Sequence, residues 1–420
     1  MLALRVFSII LSGAEKNMTP DLATDQWGLG VTTSSPGAIA ALDQTLMSYL
    51  AIGRQTGGLL KSTLEVDPGM VMGHCLKGYF FLLMASAPLQ ARVPKVLAAA
   101  EQGLAAATPR EQAHVRALKH WAGGDQGAAA RVWEEILSGH PLDILALRLA
   151  HHAYFYLGAV GDMLASIERV IGAWDESTPG YGFVLGMRSF ALEESGDYAE
   201  AEKLGRAAVD INADDPWAIH AVAHVMEMQD RHGEGIDWIT GLESHWGAAN
   251  NFRYHLWWHR ALMHLGRGEL DEVMRLYDED LWDPESDEYL DLCNDVSLLL
   301  RLELLGVDVG GRWQGLAEKV AGRTDDRILA FIDCHFVAAL AAGGRMQTAR
   351  EMADAMAGAG GVFAAVGATV SNALIAHRER DYAATARLLG DVGDAIVTMG
   401  GSHAQRNLFD LILSDAEARA

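Results

Sequence analysis

Cysteine is scarce in this chain. Cys75, Cys293 and Cys334 are the only three in 420 residues, far apart and odd in number. That excludes a disulfide framework and the paired CxxC spacing of a zinc knuckle, leaving three reduced and mostly buried thiols. Basic charge is also short: 33 Lys and Arg stand against 56 Asp and Glu, a net charge of −23. Such a field repels phosphate backbones, so nucleic acid is not an expected partner. No apolar run reaches the length of about 18 residues that reads as a membrane span, so no membrane segment is expected. Strict apolar–polar alternation is rare, and strand signals are correspondingly poor. Several reaction motifs are missing as well: HExxH, GxSxG, the phosphate-binding GxxxxGK(S/T), and any GxGxxG placed after a strand.

What the chain has instead is helix. Ala, Leu, Glu and Arg dominate, and apolar residues recur at helical spacing in LRLAHHAYFYLG and FIDCHFVAALAAGG. Ser35 before Pro36 reads as an N-cap with proline at the first helical position. Turn residues then recur: Gly124, Gly161, Gly196, Gly233, Gly268, Asp308, Gly344 and Arg380, at gaps of 37, 35, 37, 35, 40, 36 and 36 residues. Each ends one apolar helix and opens another. Ala129, Ala201 and Ala349 sit five residues after their turns, where small side chains let paired helices approach, and Pro141 and Pro216 fall between repeats. A sustained period near 36 joining two helices is the mark of helical-hairpin repeats, about 34 residues in the tetratricopeptide type. The expected fold is all-α: an α-solenoid of stacked helical hairpins in a right-handed superhelix.

In domain terms, residues 1–19 form an N-terminal extension and 20–420 one continuous superhelix. The extension carries LALRVFSIILSGA, which resembles a short signal sequence but has one basic residue and no persuasive cleavage site. With Met18 as an alternative start, residues 1–17 read as dispensable and the expected location is the cytoplasm. The acidic stretch YDEDLWDPESDEYLD (277–291) reads as a solvated inter-repeat loop, since its carboxylates repel one another and lack the DxDxDG order of a calcium loop.

The histidines fall in register with these turns. Nine residues before Gly161, Gly233, Gly268 and Gly344 stand His152, His224, His259 and His335, and four residues further back His220 and His255 repeat the match. Residues at i, i+3, i+4 and i+7 share one helix face. His220, His224 and Glu227 therefore form one stripe; His255, Trp258 and His259 the next; Arg148, His152 and Phe155 another; Phe331, Cys334 and His335 a fourth. Near the end, Ser402-x-x-Gln405 is a capping-box pattern opening a last helix from about residue 402. It places His403 and Arg406 in an anion-favouring first turn, and that helix can fold into the groove and close it.

Three segments taken together, DQWGLGVTTSSPGAIAALD, WAIHAVAHVMEMQDRHGEGIDWI with NNFRYHLWWHRALMHLGRGE, and GGSHAQRNLFDLIL, resemble the tetratricopeptide repeat protein 38 family. The resemblance spans roughly residues 20–415 and implies one domain of such repeats. It also implies that the histidine stripes line the concave groove. The family's aligned histidines map to His220, His224, His255 and His259, and its terminal Gln-Arg pair to Gln405 and Arg406. No catalytic residue comes with it.

Four readings of the groove follow. The first is ligand binding: a histidine- and aromatic-lined pocket for a small molecule or peptide end, using Arg148, His152, Phe155, His220, His224, Glu227, His255, Trp258, His259, His335, His403 and Arg406, with no cofactor. Arg253 and Trp257 are further candidates for it, whereas Trp217 and Trp238 fit inter-helix packing better. The alternative is a metal site in which His220, His224, His255 and His259, two i,i+4 pairs on adjacent helices, hold zinc, copper or iron. A third is metal-free catalysis by a neutral histidine with Glu227 or Tyr156; a Cys334–His335 dyad is coincidental, because helix neighbours diverge by about 100°. The last is a bare protein–protein scaffold, and homodimerisation through an exposed solenoid end fits any of them.

Overall fold

A computed structural model describes residues 21–420; the expectation for the N-terminal extension falls outside them. The described chain is all-α apart from one two-stranded ribbon, Asp21–Thr24 antiparallel to Gly30–Thr33. The ribbon departs from the strandless expectation, and its tether explains it. Glu111 accepts from the Thr32 amide at 3.0 Å and the Thr32 hydroxyl at 2.7 Å, while closing a capping box with Thr108 on the Pro109–Ala122 helix. Arg110 adds a bond to the Gly30 carbonyl at 3.1 Å and pairs with buried Asp143 at 2.7 Å. A ribbon this short is marginal alone and is held by the helix beneath it. The first long helix runs Gly37–Leu50; Ser35 supplies its carbonyl to Ala38, and its hydroxyl makes no cap.

From Pro109 onward the helices pair as hairpins. Ile144–Tyr156 pairs with Val160–Val170, Tyr181–Glu194 with Tyr198–Ile211, Pro216–Met228 with His232–Gly241, and Phe252–Gly266 with Leu270–Leu276. Tyr289–Leu304 with Arg312–Ala321, Ala330–Ala342 with Met346–Ala359, and Ala368–Arg378 with Tyr382–Val392 continue the stack. The expected fold class holds: this is a solenoid of stacked helix pairs of tetratricopeptide-like kind.

Six of the expected turns stand where the punctuation puts them or within two residues. Two do not. Gly161 and Gly233 lie inside helices, and the left-handed turn residues are Gly158 (φ 66°) and Asp230 (φ 55°), three positions earlier. Glycine takes that conformation freely and aspartate more readily than most residues, which is how Asp230 hides from a search for glycine. The acidic 277–291 stretch is also more structured than expected. Tyr277–Leu281 winds as a π-helix, Tyr277, Leu281 and Asp291 are buried, and Asp291 accepts from Asn251 and Ser286 at 2.6 Å each.

The apolar core divides at Phe252–Gly266. Leu256 and Met263 join the amino-terminal cluster, and Trp258, Ala261 and Leu262 join the carboxy-terminal one. The last helix, His403–Arg419, leaves the stack to touch Tyr289–Leu304 and Pro216–Met228 as well as its neighbour Tyr382–Val392. Its capping box is formed in full, Ser402 Oγ accepting from the Gln405 amide and the Gln405 side chain from the Ser402 amide.

Candidate functional site

At the seam between the two cores, four histidines meet. His220 and His224 lie one turn apart on Pro216–Met228, a helix opened by Asp215 accepting from the Trp217 and Ala218 amides. His255 and His259 do the same on Phe252–Gly266. All four are buried, and one ligating nitrogen from each falls within 4.8 Å of the others. His255 Nε2 and His220 Nε2 are 3.1 Å apart. Outer partners fix two of the rings. His255 Nδ1 meets Asn294 Oδ1 at 3.0 Å, His259 Nδ1 meets Glu227 Oε2 at 2.7 Å, and His224 Nδ1 lies 3.5 Å from Glu193 Oε2.

Burial, then the neighbouring imidazoles, hold His220, His255 and His259 well below the ordinary histidine value; burial also lowers His224, against the pull of nearby Glu194 and Glu227. At neutral pH the box is uncharged and rich in acceptors. Burial likewise pushes Glu227 up to about 7 and Glu193 to about 8. His220 Nδ1, both nitrogens of His224, His259 Nε2 and both Glu193 oxygens are buried without a hydrogen-bond partner. Each such orphan costs about 1–3 kcal/mol.

Beside the box opens a cavity of about 490 Å³. His220 and His255 form part of its wall, while His224 and His259 stand behind them. Arg148, His152, Phe155, Tyr156, Phe190, Trp217, Phe252, Glu288 and Tyr289 line the inner part, and Leu60, Leu64, Phe80, Phe81, Leu83 and Leu290 an apolar flank. Exposed Arg54 and Lys61 and half-buried Lys77 lie toward solvent. Met399, Gly401, Ser402 and Gln405 complete the wall from the segment that leads into the last helix.

Arg148 is the unusual member. It is 4 % exposed, and among the described residues no carboxylate lies within ion-pair distance of it. Its guanidinium stacks over Trp217 at 4.4 Å, and its Nε has no partner. A buried unpaired cation is costly, and a cation–π contact of up to about 2 kcal/mol offsets only part of that. Tyr49 faces the same space beside Arg148, and burial pushes its hydroxyl up to about 12. The carboxylate whose charge reaches Arg148 is Asp215, which burial raises to about 7 and whose Oδ1 is taken by the Trp217 and Ala218 amides, so it offsets the guanidinium only in part.

Of the twelve sequence candidates, Arg148, His152, Phe155, His220 and His255 reach the cavity wall. His224, Glu227 and His259 form its backing, and Trp258 stacks on His255 with rings 5.2 Å apart. The other three are engaged elsewhere. His335 bonds the Phe331 carbonyl at 2.8 Å and packs against Phe331 and Phe409. Arg406 bonds the Gly401 carbonyl and reaches Glu194 Oε2 at 3.5 Å, and the His403 amide bonds Glu194 Oε1 at 2.9 Å. The protein's own carboxylate thus takes the anion position expected at that helix start.

Trp217 corrects the expectation in the other direction, since it faces the cavity, whereas Trp238 bonds the Ile219 carbonyl between helices. Arg253 lies over Tyr254, and Trp257 against Trp246. Cys75, Cys293 and Cys334 are free and buried, and burial lifts Cys334 to about 12, far from a thiolate nucleophile. Sequence reasoning missed Glu193 and Asn294. Glu193 had a signal: it stands three residues before Gly196, as Glu227 stands three before Asp230. Asn294 has no counterpart in the repeat.

No protein-family model matches the chain. Among solved structures, the tetratricopeptide-repeat domain of P58(IPK) is similar at 12% identity, covering 83% of this chain and 98% of that one, with a TM-score of 0.22. Neither finding bears on the site, which rests on the geometry above.

Proposed function

We propose that the chain is a binding protein for a small, mainly apolar molecule carrying one anionic group. The observation that carries this reading is Arg148, a buried guanidinium with no carboxylate at ion-pair distance, on the wall of a cavity lined mainly by aromatic and aliphatic side chains. An anion there would supply the missing charge in a desolvated setting, where such bonds are strongest. The volume, about 490 Å³, sits inside the range of small-molecule sites and favours that class over a peptide end. Basic Arg54, Lys61 and Lys77 on the outer side fit an anion entering a protein whose overall field is negative. Kinship with the tetratricopeptide repeat protein 38 family belongs to the same reading and is supported by the three quoted segments.

The test is a thermal-shift panel of decanoate, benzoate, the corresponding alcohols and a short acidic peptide, on wild type and Arg148→Met. Carboxylates should stabilise the wild type more than their alcohols do, and Arg148→Met should erase the difference. Equal shifts for acid and alcohol, or stabilisation by the peptide alone, would overturn the reading.

A further inference from the structure

The proposed pocket leaves unexplained why four histidines crowd together behind its wall. Apolar side chains would pack there without orphaned nitrogens, and a hydrogen-bonded network would pair them. Neither describes the box. Two of the four rings are instead oriented through Nδ1 by an outer oxygen, Asn294 for His255 and Glu227 for His259, while Glu193 Oε2 stands 3.5 Å from His224 Nδ1 without bonding it. Such an oxygen sets the proton on Nδ1 and turns the Nε2 lone pair inward, the arrangement by which proteins orient imidazoles toward an ion. Nitrogens held about 2.0–2.1 Å from a tetrahedral ion stand about 3.3 Å apart. His220 and His255 already present Nε2 atoms 3.1 Å apart, and one nitrogen from each of the four lies within 4.8 Å of the others, so the ion would draw the remaining rings inward.

We propose that His220, His224, His255 and His259 bind one divalent first-row transition-metal ion, of the zinc, iron or copper class that imidazole suits. The ion would satisfy His224 and His259, whose inward nitrogens have no protein partner. Calcium and magnesium prefer oxygen ligands and fit this donor set poorly. Glu227, bonded to His259, lies in the outer layer, where a carboxylate would balance part of the ion's charge. Because His220 and His255 also belong to the cavity wall, the ion would sit directly behind that wall; with four imidazoles filling its shell it would set the position and charge of the wall rather than bind the cavity's contents itself. This site stands on the histidines alone and is independent of Arg148.

The experiment uses untagged full-length protein purified without nickel or chelators. Its metal content is measured by mass spectrometry, and zinc affinity of the stripped protein by calorimetry. The wild type should hold about one equivalent per chain, His220→Ala/His255→Ala none, and His335→Gln, a buried histidine outside the box, the full equivalent. Glu227→Gln should weaken zinc binding roughly 10–100-fold through His259. A wild type that neither carries nor takes up stoichiometric metal overturns the proposal, as does a folded double variant that keeps it. If the double variant misfolds, Glu227→Gln decides, and unchanged affinity is the overturning result. No small-molecule probe enters these measurements, and Arg148→Met should bind zinc normally, so this site and the anion pocket fail separately.

Discussion

Individual side chains divide here into those that pack and those that wait for a partner, and histidine supplies both kinds. His335 packs: it gives its Nδ1 proton to the Phe331 carbonyl, and burial lowers it to about 4. With the folded value below the unfolded 6.5, His335 costs nothing above about pH 6.5. As pH falls toward 4 the unfolded chain takes up a proton that the folded one refuses, and stability drops by about 1.4 kcal/mol per pH unit. His335→Gln should therefore make the acid limb of the stability curve shallower by about one proton, measured by denaturant unfolding at pH 7, 6 and 5; parallel curves would show that the ring titrates normally. His224 and Arg148 are of the other kind, buried with ring or guanidinium nitrogens unmatched by the protein. Sequence alone could not separate His335 from His224, because both stand on a repeat helix among apolar neighbours. The difference lies in whether a neighbouring helix offers a partner.

At the scale of helices, the repeat was legible because turn residues in the left-handed region favour glycine, and Gly124, Gly196, Gly268 and Gly344 all adopt it. It was misread at two turns. Measured from the true turns, His152 and His224 stand six residues before Gly158 and Asp230, while His259 and His335 stand nine before Gly268 and Gly344. The histidines are thus not at one repeat position. The two central pairs still converge, because a three-residue slip is close to one helical turn and keeps the same face. Asn294 could not be found from period at all, since it answers His255 across the stack and not along it. The ribbon was missed because its stability comes from Glu111 rather than from strand pattern. Glu111→Ala should cost about 2 kcal/mol, the price of buried donors left unmade, and speed hydrogen exchange at the Thr32 amide while sparing the helices beyond Tyr181. Unchanged exchange at Thr32 would mean that the ribbon holds itself.

For the molecule as a whole, a stack of hairpins supplies adjacent stripes, and the chain turns several of them toward one cavity that opens to solvent. The amino-terminal helices give the cavity its apolar flank, the central ones Arg148, His220 and His255, and the segment before the last helix gives Gly401, Ser402 and Gln405. Among the described residues no helix is long and apolar enough to cross a membrane. The central claim is that cavity and histidine box form one site, with His220 and His255 belonging to both. Cobalt(II) titrated into stripped protein, followed by its visible ligand-field absorption before and after decanoate, tests this most directly. The account predicts an intense low-symmetry band saturating at one equivalent and changing shape when decanoate binds. A missing band, or a band indifferent to a carboxylate that the protein demonstrably binds, would contradict it.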